Sequence, residues 1–258
     1  MSGAGRILHG KVAIVTGASA GIGRAIACLF AAEGARLVIT ARGRERLGTV
    51  AREIGEAGGT AFALAGDVAD ENHARALVAE AKGRFGGLDI AVNNAATMGP
   101  MGATPDIALT DWNATLASNL TGGFLAAKHQ VPALLARGRG SLIFVASFVG
   151  HTIGFPGVAA YAASKAGLIG LMKSLAVEFG PRGLRVNALL PGGTRTAMAD
   201  AFAPDEQSRD FVRNLFALKR IAEPGEQARA ALFLASDASS FVTGAALLAD
   251  GGVSINRT

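Results

Sequence analysis

The chain has 258 residues, of which 50% are hydrophobic and only 17% are charged, so it can build a sizeable core and intrinsic disorder is excluded. Its net charge of +5 is small, and the longest basic cluster, residues 42–46, is interrupted by Glu45. Binding to nucleic acid is therefore not indicated.

The single cysteine, Cys28, lies in an apolar helical segment, so burial is its expected state and a cytoplasmic location is the simplest inference. The first six residues lack the apolar stretch of a signal peptide, and no window holds about 18 uninterrupted apolar residues, so we expect no membrane span. His9, His73, His129 and His151 lack the spacing of metal ligands, and we expect no metal site.

Short apolar, β-branched segments alternate with longer helical patterns along the chain. Strands are predicted at residues 12–16, 37–40, 61–65, 90–92, 142–146, 186–190 and 246–249, and helices near 22–33, 44–57, 71–84, 110–136, 158–179 and 225–235. Continuous apolar strands are buried on both faces, which indicates a parallel sheet covered by helices. The alternation predicts a single α/β domain over residues 1–258, with a core of about 11–252. Its fold is expected to be a doubly wound Rossmann fold with a seven-stranded, mostly parallel sheet.

Two segments depart from this regular alternation. Pro132 lies inside the fourth predicted helix, where we expect a kink or a restart because proline lacks a backbone N–H. Residues 192–224 follow the sixth strand and contain Phe202, Phe211 and Phe216. Because ligands bind outside the carboxyl ends of the strands, this segment is predicted to be a substrate lid, although it could equally be a packed surface excursion.

A glycine-rich turn follows the first strand and opens the first helix. It contains Gly17, Gly21 and Gly23, with the spacing Gly-x3-Gly-x-Gly. Glycine allows close backbone approach, and the free N–H groups of the helix N-terminus can bind a pyrophosphate. Its position between strand and helix favours dinucleotide binding.

Tyr161 and Lys165 are four residues apart in a predicted helix, and Ser147 lies fourteen positions before Tyr161. One helical turn places the phenol and the ammonium group on the same face. A cation within about 6 Å favours the phenolate and lowers a tyrosine pKa from its usual value of about 10. The pair is therefore a candidate acid/base catalyst, although such pairs are more often structural.

The turn and the Tyr-x3-Lys spacing together resemble the short-chain dehydrogenase/reductase family, and the resemblance continues in order from about residue 11 to residue 252. Further matching elements are Asp67-Val68, Asn93-Asn94-Ala95-Ala96, Asn119, Ser147, and Pro191-Gly192 followed by Thr196. Ala96 replaces a glycine of the family motif, so we expect its φ to be negative. The Ser147–Tyr161 spacing is about one residue longer than the family's, and the loop at residues 150–154 can absorb the difference.

The resemblance implies an NAD(P)-dependent oxidoreductase acting on CH–OH groups. Tyr161 would be the general acid or base, Lys165 would lower its pKa, Ser147 would hold the substrate oxygen, and Asn119 would bend its helix and bind a water of a proton relay. The implied cofactor-binding residues are Gly17, Ser19, Gly21, Ile22, Gly23, Ala41, Arg42, Asp67, Val68, Asn94, Ala95, Tyr161, Lys165, Pro191, Gly192, Thr194 and Thr196. The family also implies a homo-oligomer, most simply a homotetramer.

The second strand is followed by Ala41 and Arg42, where NAD-preferring relatives carry an aspartate. A guanidinium group at this turn suits a 2′-phosphate, so we predict a preference for NADP(H), with NAD(H) possible. A solvated surface role for Arg42 is the alternative.

Loops expected around the pocket are mostly apolar, which favours a moderately apolar ketone or secondary alcohol as the substrate. His151 and Arg195 are weaker candidates for substrate contact. A 3-oxoacyl-thioester reductase and an NAD-dependent sugar or cyclic-diol dehydrogenase stay open. A dinucleotide-binding redox sensor without turnover is a remote alternative, because it would not need Ser147, Tyr161 and Lys165 together.

Overall fold

The computed structural model describes residues 5–257, and its centre is one seven-stranded sheet. The strands are β1 (Val12–Thr16), β2 (Arg36–Thr40), β3 (Thr60–Ala63), β4 (Ile90–Asn93), β5 (Gly140–Val145), β6 (Leu184–Pro191) and β7 (Ala246–Ala249). Their order in the sheet is β3-β2-β1-β4-β5-β6-β7, and every neighbouring pair is parallel. The predicted doubly wound Rossmann fold is confirmed, and the sheet is parallel throughout rather than mostly parallel.

Helices cover both faces of the sheet. They are α1 (Gly21–Ala32), α2 (Arg44–Glu56), α3 (Glu71–Phe85), α4 (Leu109–Leu116), α5 (Gly122–Leu135), α6 (Ala159–Phe179), α7 (Ala197–Phe202), α8 (Glu206–Leu215) and α9 (Pro224–Ala235). Alternate residues of each strand serve the two faces: in β1, Ala13 and Val15 pack in one apolar cluster, and Val12 and Ile14 in the other. This explains why the central strands read as uninterrupted apolar runs.

The fourth predicted helix is interrupted at a different place from the one expected. The interruption is a wide π-helical turn over Ala117–Thr121, whereas α5 runs through Pro132 to Leu135. The expected restart at Pro132 is therefore wrong. Proline removes only the hydrogen bond of its own N–H, and the helix continues beyond it, since the Pro132 carbonyl accepts from the N–H of Ala136 at 3.1 Å. The interruption contains Asn119, as the resemblance implied.

Two short helices occupy the segment after β6, for which the sequence predicted no regular structure. Thr196 caps α7 by accepting from the N–H of Ala199, and Asp205 and Ser208 form a reciprocal capping box at the start of α8. No helix within residues 5–257 has the length and apolar character needed to cross a bilayer.

Candidate active site

A cavity of about 1180 Å³ opens at the carboxyl ends of the strands, on both sides of the boundary between β1 and β4. In open α/β sheets this is where ligands bind, because the connections on the two sides of the boundary leave in opposite directions. Ser147 and all the predicted cofactor-binding residues line it, namely Gly17, Ser19, Gly21, Ile22, Gly23, Ala41, Arg42, Asp67, Val68, Asn94, Ala95, Tyr161, Lys165, Pro191, Gly192, Thr194 and Thr196.

The glycine turn brings backbone N–H groups to the cavity wall. Gly17 and Gly21 have φ of +68° and +55°, and a Cβ at Gly17 would lie 2.7 Å from the side-chain nitrogen of Asn94. The N-cap of α1, Ala20, provides no side-chain hydrogen bond, so the first N–H groups of the helix are free to meet a ligand. A helix N-terminus of this kind fits the pyrophosphate of a dinucleotide.

Thr16 connects the two strands that meet at the boundary, a role that the sequence analysis missed. Its hydroxyl accepts hydrogen bonds from the N–H groups of Asn94 and Ala95, both at 2.9 Å, and its carbonyl accepts from the Asn94 side chain at 2.9 Å. The glycine turn and the segment after β4 are therefore held as one rigid wall. In the sequence, this role was indicated only by the position of the threonine directly before Gly17.

Ser147, Tyr161 and Lys165 lie together on the opposite wall. Ser147 follows β5, hydrogen-bonds the phenol of Tyr161, and accepts from the N–H of Val149 at 3.1 Å. The Nζ atom of Lys165 donates to the carbonyl of Val145 at 2.7 Å and lies 5.7 Å from the centre of the Tyr161 ring. The helical spacing thus places phenol and amine side by side, within reach of the strand that carries the serine.

The electrostatics of this cluster differ from the expectation. Burial raises the pKa of Tyr161, and the hydrogen bond with Ser147 opposes that rise only in part. Burial also lowers the pKa of Lys165 from 10.5 to about 7, so the amine is a weak source of positive charge at neutral pH. Lys165 is not among the causes of the Tyr161 shift, and its lowering of the Tyr161 pKa stays a prediction.

Asn119 is 2% exposed and lies behind the cavity rather than on its wall. Its side-chain amide accepts from the N–H of Thr97 and donates to the Thr97 carbonyl, both at 2.8 Å, and also donates to the hydroxyl of Ser164 at 3.0 Å. The amide therefore braces the segment after β4 against α6. It makes no direct contact with Lys165, and its part in a proton relay stays a prediction.

Arg42 and Arg46 line the end of the cavity beyond Ala41. Neither side chain has an acidic partner among the ion pairs of the described residues, so both guanidinium groups can meet an anionic ligand. The sequence analysis identified Arg42 and missed Arg46. Arg46 could have been identified from its position in the predicted helix. Gly43 caps α2, so Arg46 lies in the first turn of this helix and faces back to the cavity.

The part of the cavity lining between Ser147 and Tyr161 is apolar, whereas the segment after β6 that lies against it adds charged lining residues such as Asp200, Arg209 and Arg213. Phe148, Val149, Phe155 and Val158 line the apolar part, and Phe155 meets Phe202 of α7 edge to face at a centroid distance of 5.4 Å. His151 is exposed and is not among the lining residues, so the structure does not bring it to the site.

Arg195 lines the cavity but forms an ion pair with Glu223 at 2.8 Å. This ion pair favours a surface role for Arg195 over pairing with a substrate. Ala96 has no positive φ, as expected, since Lys219 is the single non-glycine residue with a positive φ between residues 5 and 257.

A parallel doubly wound sheet with a glycine turn at its switch point and a Ser-Tyr-Lys cluster facing that turn defines a dinucleotide-dependent oxidoreductase. Residues 17–254 match a family model described as Enoyl-(Acyl carrier protein) reductase. The chain is 40% identical over 254 residues to a 2,5-dichloro-2,5-cyclohexadiene-1,4-diol dehydrogenase of Sphingobium indicum, covering 95% of this chain and 97% of that protein. It is 38% identical over 254 residues to an L-rhamnose 1-dehydrogenase (NAD(P)(+)) of Azotobacter vinelandii, covering 97% and 99%.

Among solved structures, a candidate NAD(P)-dependent gluconate 5-dehydrogenase of Beutenbergia cavernae with NADP bound at low occupancy matches with a TM-score of 0.90 and 37% identity, covering 96% of this chain and 98% of that one. The chain belongs to the short-chain dehydrogenase/reductase family. It is an NAD(P)-dependent enzyme of the class that acts on CH–OH groups.

Proposed function

We propose that the protein is an NADP(H)-preferring oxidoreductase that interconverts a moderately apolar, ring-shaped ketone and its secondary alcohol, with Tyr161 as the general acid or base. The observation that carries the proposal is the position of Tyr161, Ser147 and Lys165. They lie on the apolar wall of the same cavity whose other wall is the glycine turn.

The chain's own residues supply the proton chemistry. Tyr161 donates its phenolic proton to the carbonyl oxygen during reduction and takes a proton from the alcohol during oxidation. Ser147 holds that oxygen beside the phenol, which makes the proton transfer intramolecular. Even as a neutral amine, Lys165 keeps a further N–H donor besides the one used by Val145, and this donor can bind a ribose hydroxyl. When bound, the nicotinamide supplies or accepts the hydride.

The preference for NADP(H) rests on charge at the adenosine end of the cavity. Arg42 and Arg46 present two unpaired guanidinium groups there, and the turn after β2 carries Ala41 instead of an acidic residue. A 2′-phosphate would gain charge-assisted hydrogen bonds, whereas a ribose hydroxyl would find no carboxylate to accept from it. The solved relative with NADP bound is consistent with this preference.

The substrate class rests on the wall beside Tyr161. A sugar would place hydroxyl groups against Phe148, Val149 and Phe155, whose side chains offer no hydrogen bonds, and its polar partners would have to come from the charged lining residues of α7 and α8. A ring with few polar groups avoids this cost and can pack on the aromatic faces. The cyclohexadiene-diol dehydrogenase among the relatives favours this class, and the rhamnose dehydrogenase keeps a sugar substrate as the second candidate.

Residues 192–224 act as the lid of this site in our proposal. Phe202 reaches across to Phe155, and the lid helices α7 and α8 both contribute residues to the cavity lining. We further propose a cytoplasmic location and a homotetramer. The homotetramer is supported by the exposed apolar side chains on α4, α5 and α6 and near β7, and by the family resemblance.

A substrate screen that follows the absorbance of the reduced nicotinamide tests the proposal. Cyclic ketones, acyclic ketones, 3-oxoacyl thioesters and sugars are assayed with NADPH and NADH, and the matching alcohols with NADP⁺ and NAD⁺. We expect turnover to be best with a cyclic ketone and NADPH. Turnover of sugars alone, or a higher kcat/KM with NADH, would overturn the corresponding part of the proposal.

A further inference from the structure

Gln227, in the second turn of α9, is a buried polar residue that the mechanism above does not use. Its side chain is 1% exposed, and its amide nitrogen donates to the Ala249 carbonyl at 2.9 Å and to the Thr194 hydroxyl at 3.3 Å. Its amide oxygen is the one buried side-chain polar atom of residues 5–257 without a hydrogen-bond partner. Buried polar groups are normally hydrogen-bonded, so this unpaired oxygen lowers the stability of the folded protein.

The partners of Gln227 do not need it in order to be satisfied. The Thr194 hydroxyl donates to the Gly192 carbonyl at 3.0 Å, and the Ala249 carbonyl already accepts from the N–H of Gly192 at 3.0 Å. A methionine of similar shape would therefore leave neither partner unpaired and would remove the orphaned oxygen. Stability alone does not account for a glutamine at this position.

Through its two hydrogen bonds, Gln227 connects two segments at the floor of the cavity. Gly192 and Thr194 begin the connection after β6, and Ala249 ends β7. This connection has little freedom, because a Cβ at Gly192 would lie 2.7 Å from the Cα of Asp250. Gln227 hydrogen-bonds Thr194, a polar residue of this connection that is 5% exposed and lies on the cavity wall.

We propose that Gln227 is a positioning residue for the nicotinamide half of the cofactor, acting through Thr194. This inference rests on the cofactor site of the proposed function. Gln227 and Thr194 lie at the β6–β7 end of the cavity, whereas Arg42 and Arg46 lie at its β2 end. The contribution of Gln227 should therefore be confined to one half of the dinucleotide, which a general loss of packing would not produce.

The test compares NADPH with 2′,5′-ADP, which carries the adenosine half and lacks nicotinamide. For Gln227→Met, we expect the Kd of NADPH, measured by calorimetry, to rise about tenfold and the Kd of 2′,5′-ADP to stay within about twofold of wild type. The melting temperature should be unchanged or higher. The matched control is Gln207→Met, at an exposed position on α8 outside the cavity lining, which should change neither affinity.

A second variant tests the route through Thr194. Thr194→Val should weaken NADPH binding in the same way, and adding Gln227→Met to it should have little further effect, since both changes break one connection. Full additivity, equal weakening of both ligands, or an NADPH affinity within about twofold of wild type would each overturn the inference.

The proposed function fails separately if the wild-type protein binds neither NADPH nor NADH. If wild type binds NADH but not 2′,5′-ADP, the proposed 2′-phosphate preference fails. The positioning role is then decided by the same comparison made with NADH and AMP.

Discussion

At the residue scale, burial controls the proton chemistry of the site. The phenol of Tyr161 and the amine of Lys165 are both shifted toward their neutral forms, since a charge in this enclosed wall loses its hydration. The phenol therefore holds the proton that reduction requires, while its raised pKa makes it a weaker acid than an ordinary tyrosine.

Tyr161→Phe should lower kcat by about 10³-fold or more, because it removes the proton donor and leaves the ring in place. The Kd of NADPH should change only severalfold, which fluorescence titration can measure. A variant that retains near-normal kcat would show that the proton comes from another group.

Lys165→Met should remove a pH dependence of stability. The folded pKa of Lys165 is about 7 and the unfolded value is 10.5, so between these values the unfolded chain binds the extra proton and the free energy of unfolding of the wild type rises with pH. The variant should therefore gain most over wild type at or below about pH 7, with the gain shrinking toward about pH 10. Urea unfolding at both pH values measures it, and an equal difference at the two would contradict the shift.

Arg42→Asp should reverse the cofactor preference. The loss of charge-assisted hydrogen bonds and the added repulsion should lower kcat/KM for NADPH by about 100-fold, while kcat/KM for NADH is retained or improved. Arg44→Asp serves as the control, since Arg44 begins α2 and does not line the cavity. A parallel loss in both variants would indicate a general effect of charge.

At the scale of elements, the segment after β6, our proposed lid, would connect cofactor and substrate. The segment after β6 starts at the cavity floor with Gly192 and Thr194, continues into α7, and there places Phe202 against Phe155 of the loop that follows Ser147. Phe216, which is 2% exposed, anchors the far end of the segment in the core. The lid is thus fixed at both ends, with its aromatic contact over the apolar wall.

Phe202→Leu should lower kcat/KM for cyclic substrates about fivefold relative to acyclic ones, since an aromatic contact contributes about 1 kcal/mol beyond its burial. The ratio of the two kcat/KM values is the measurement. Phe211→Leu changes an exposed phenylalanine of the neighbouring helix α8 and should leave the ratio unaltered. An unchanged ratio in Phe202→Leu would remove the lid contact from the specificity argument.

At the scale of the whole molecule, five of the eleven exposed large apolar side chains of the described residues fall in two groups. One lies on α4, α5 and α6, with Leu109, Phe124 and Val177, and the other lies near β7, with Phe241 and Leu248. Large apolar side chains at this exposure commonly mark interfaces. Two separate surfaces of this kind are what a tetramer with twofold axes requires.

Light scattering should give a mass four times the 26.1 kDa of one chain. Phe241→Glu should halve that mass, because it places a charge in only one of the two proposed interfaces. Phe211→Glu, on the lid, should leave the tetramer intact. A monomeric wild type would contradict the proposed assembly.

The sequence by itself determined the parallel sheet, the order of its strands along the chain and many of the residues that line the cavity. Apolar strands buried on both faces leave a continuous signal, and residues such as Gly17, Tyr161 and Lys165 stand at spacings that local backbone geometry converts directly into position. Even the break at Asn119 followed from the family resemblance, although Pro132 suggested a different place.

Only the tertiary structure decided features that depend on contacts between distant segments. Burial reversed the expected pKa shift of Tyr161, because desolvation is set by the whole enclosure and not by the neighbour four residues away. The hydrogen bonds of Thr16 and Gln227 formed only where strands and helices far apart in sequence came together. The hydrogen bonds from Gln227 to Thr194 and from Asn94 to Thr16 span 33 and 78 positions. Bonds between residues so far apart produce no periodic pattern in the sequence, so the sequence alone does not predict them.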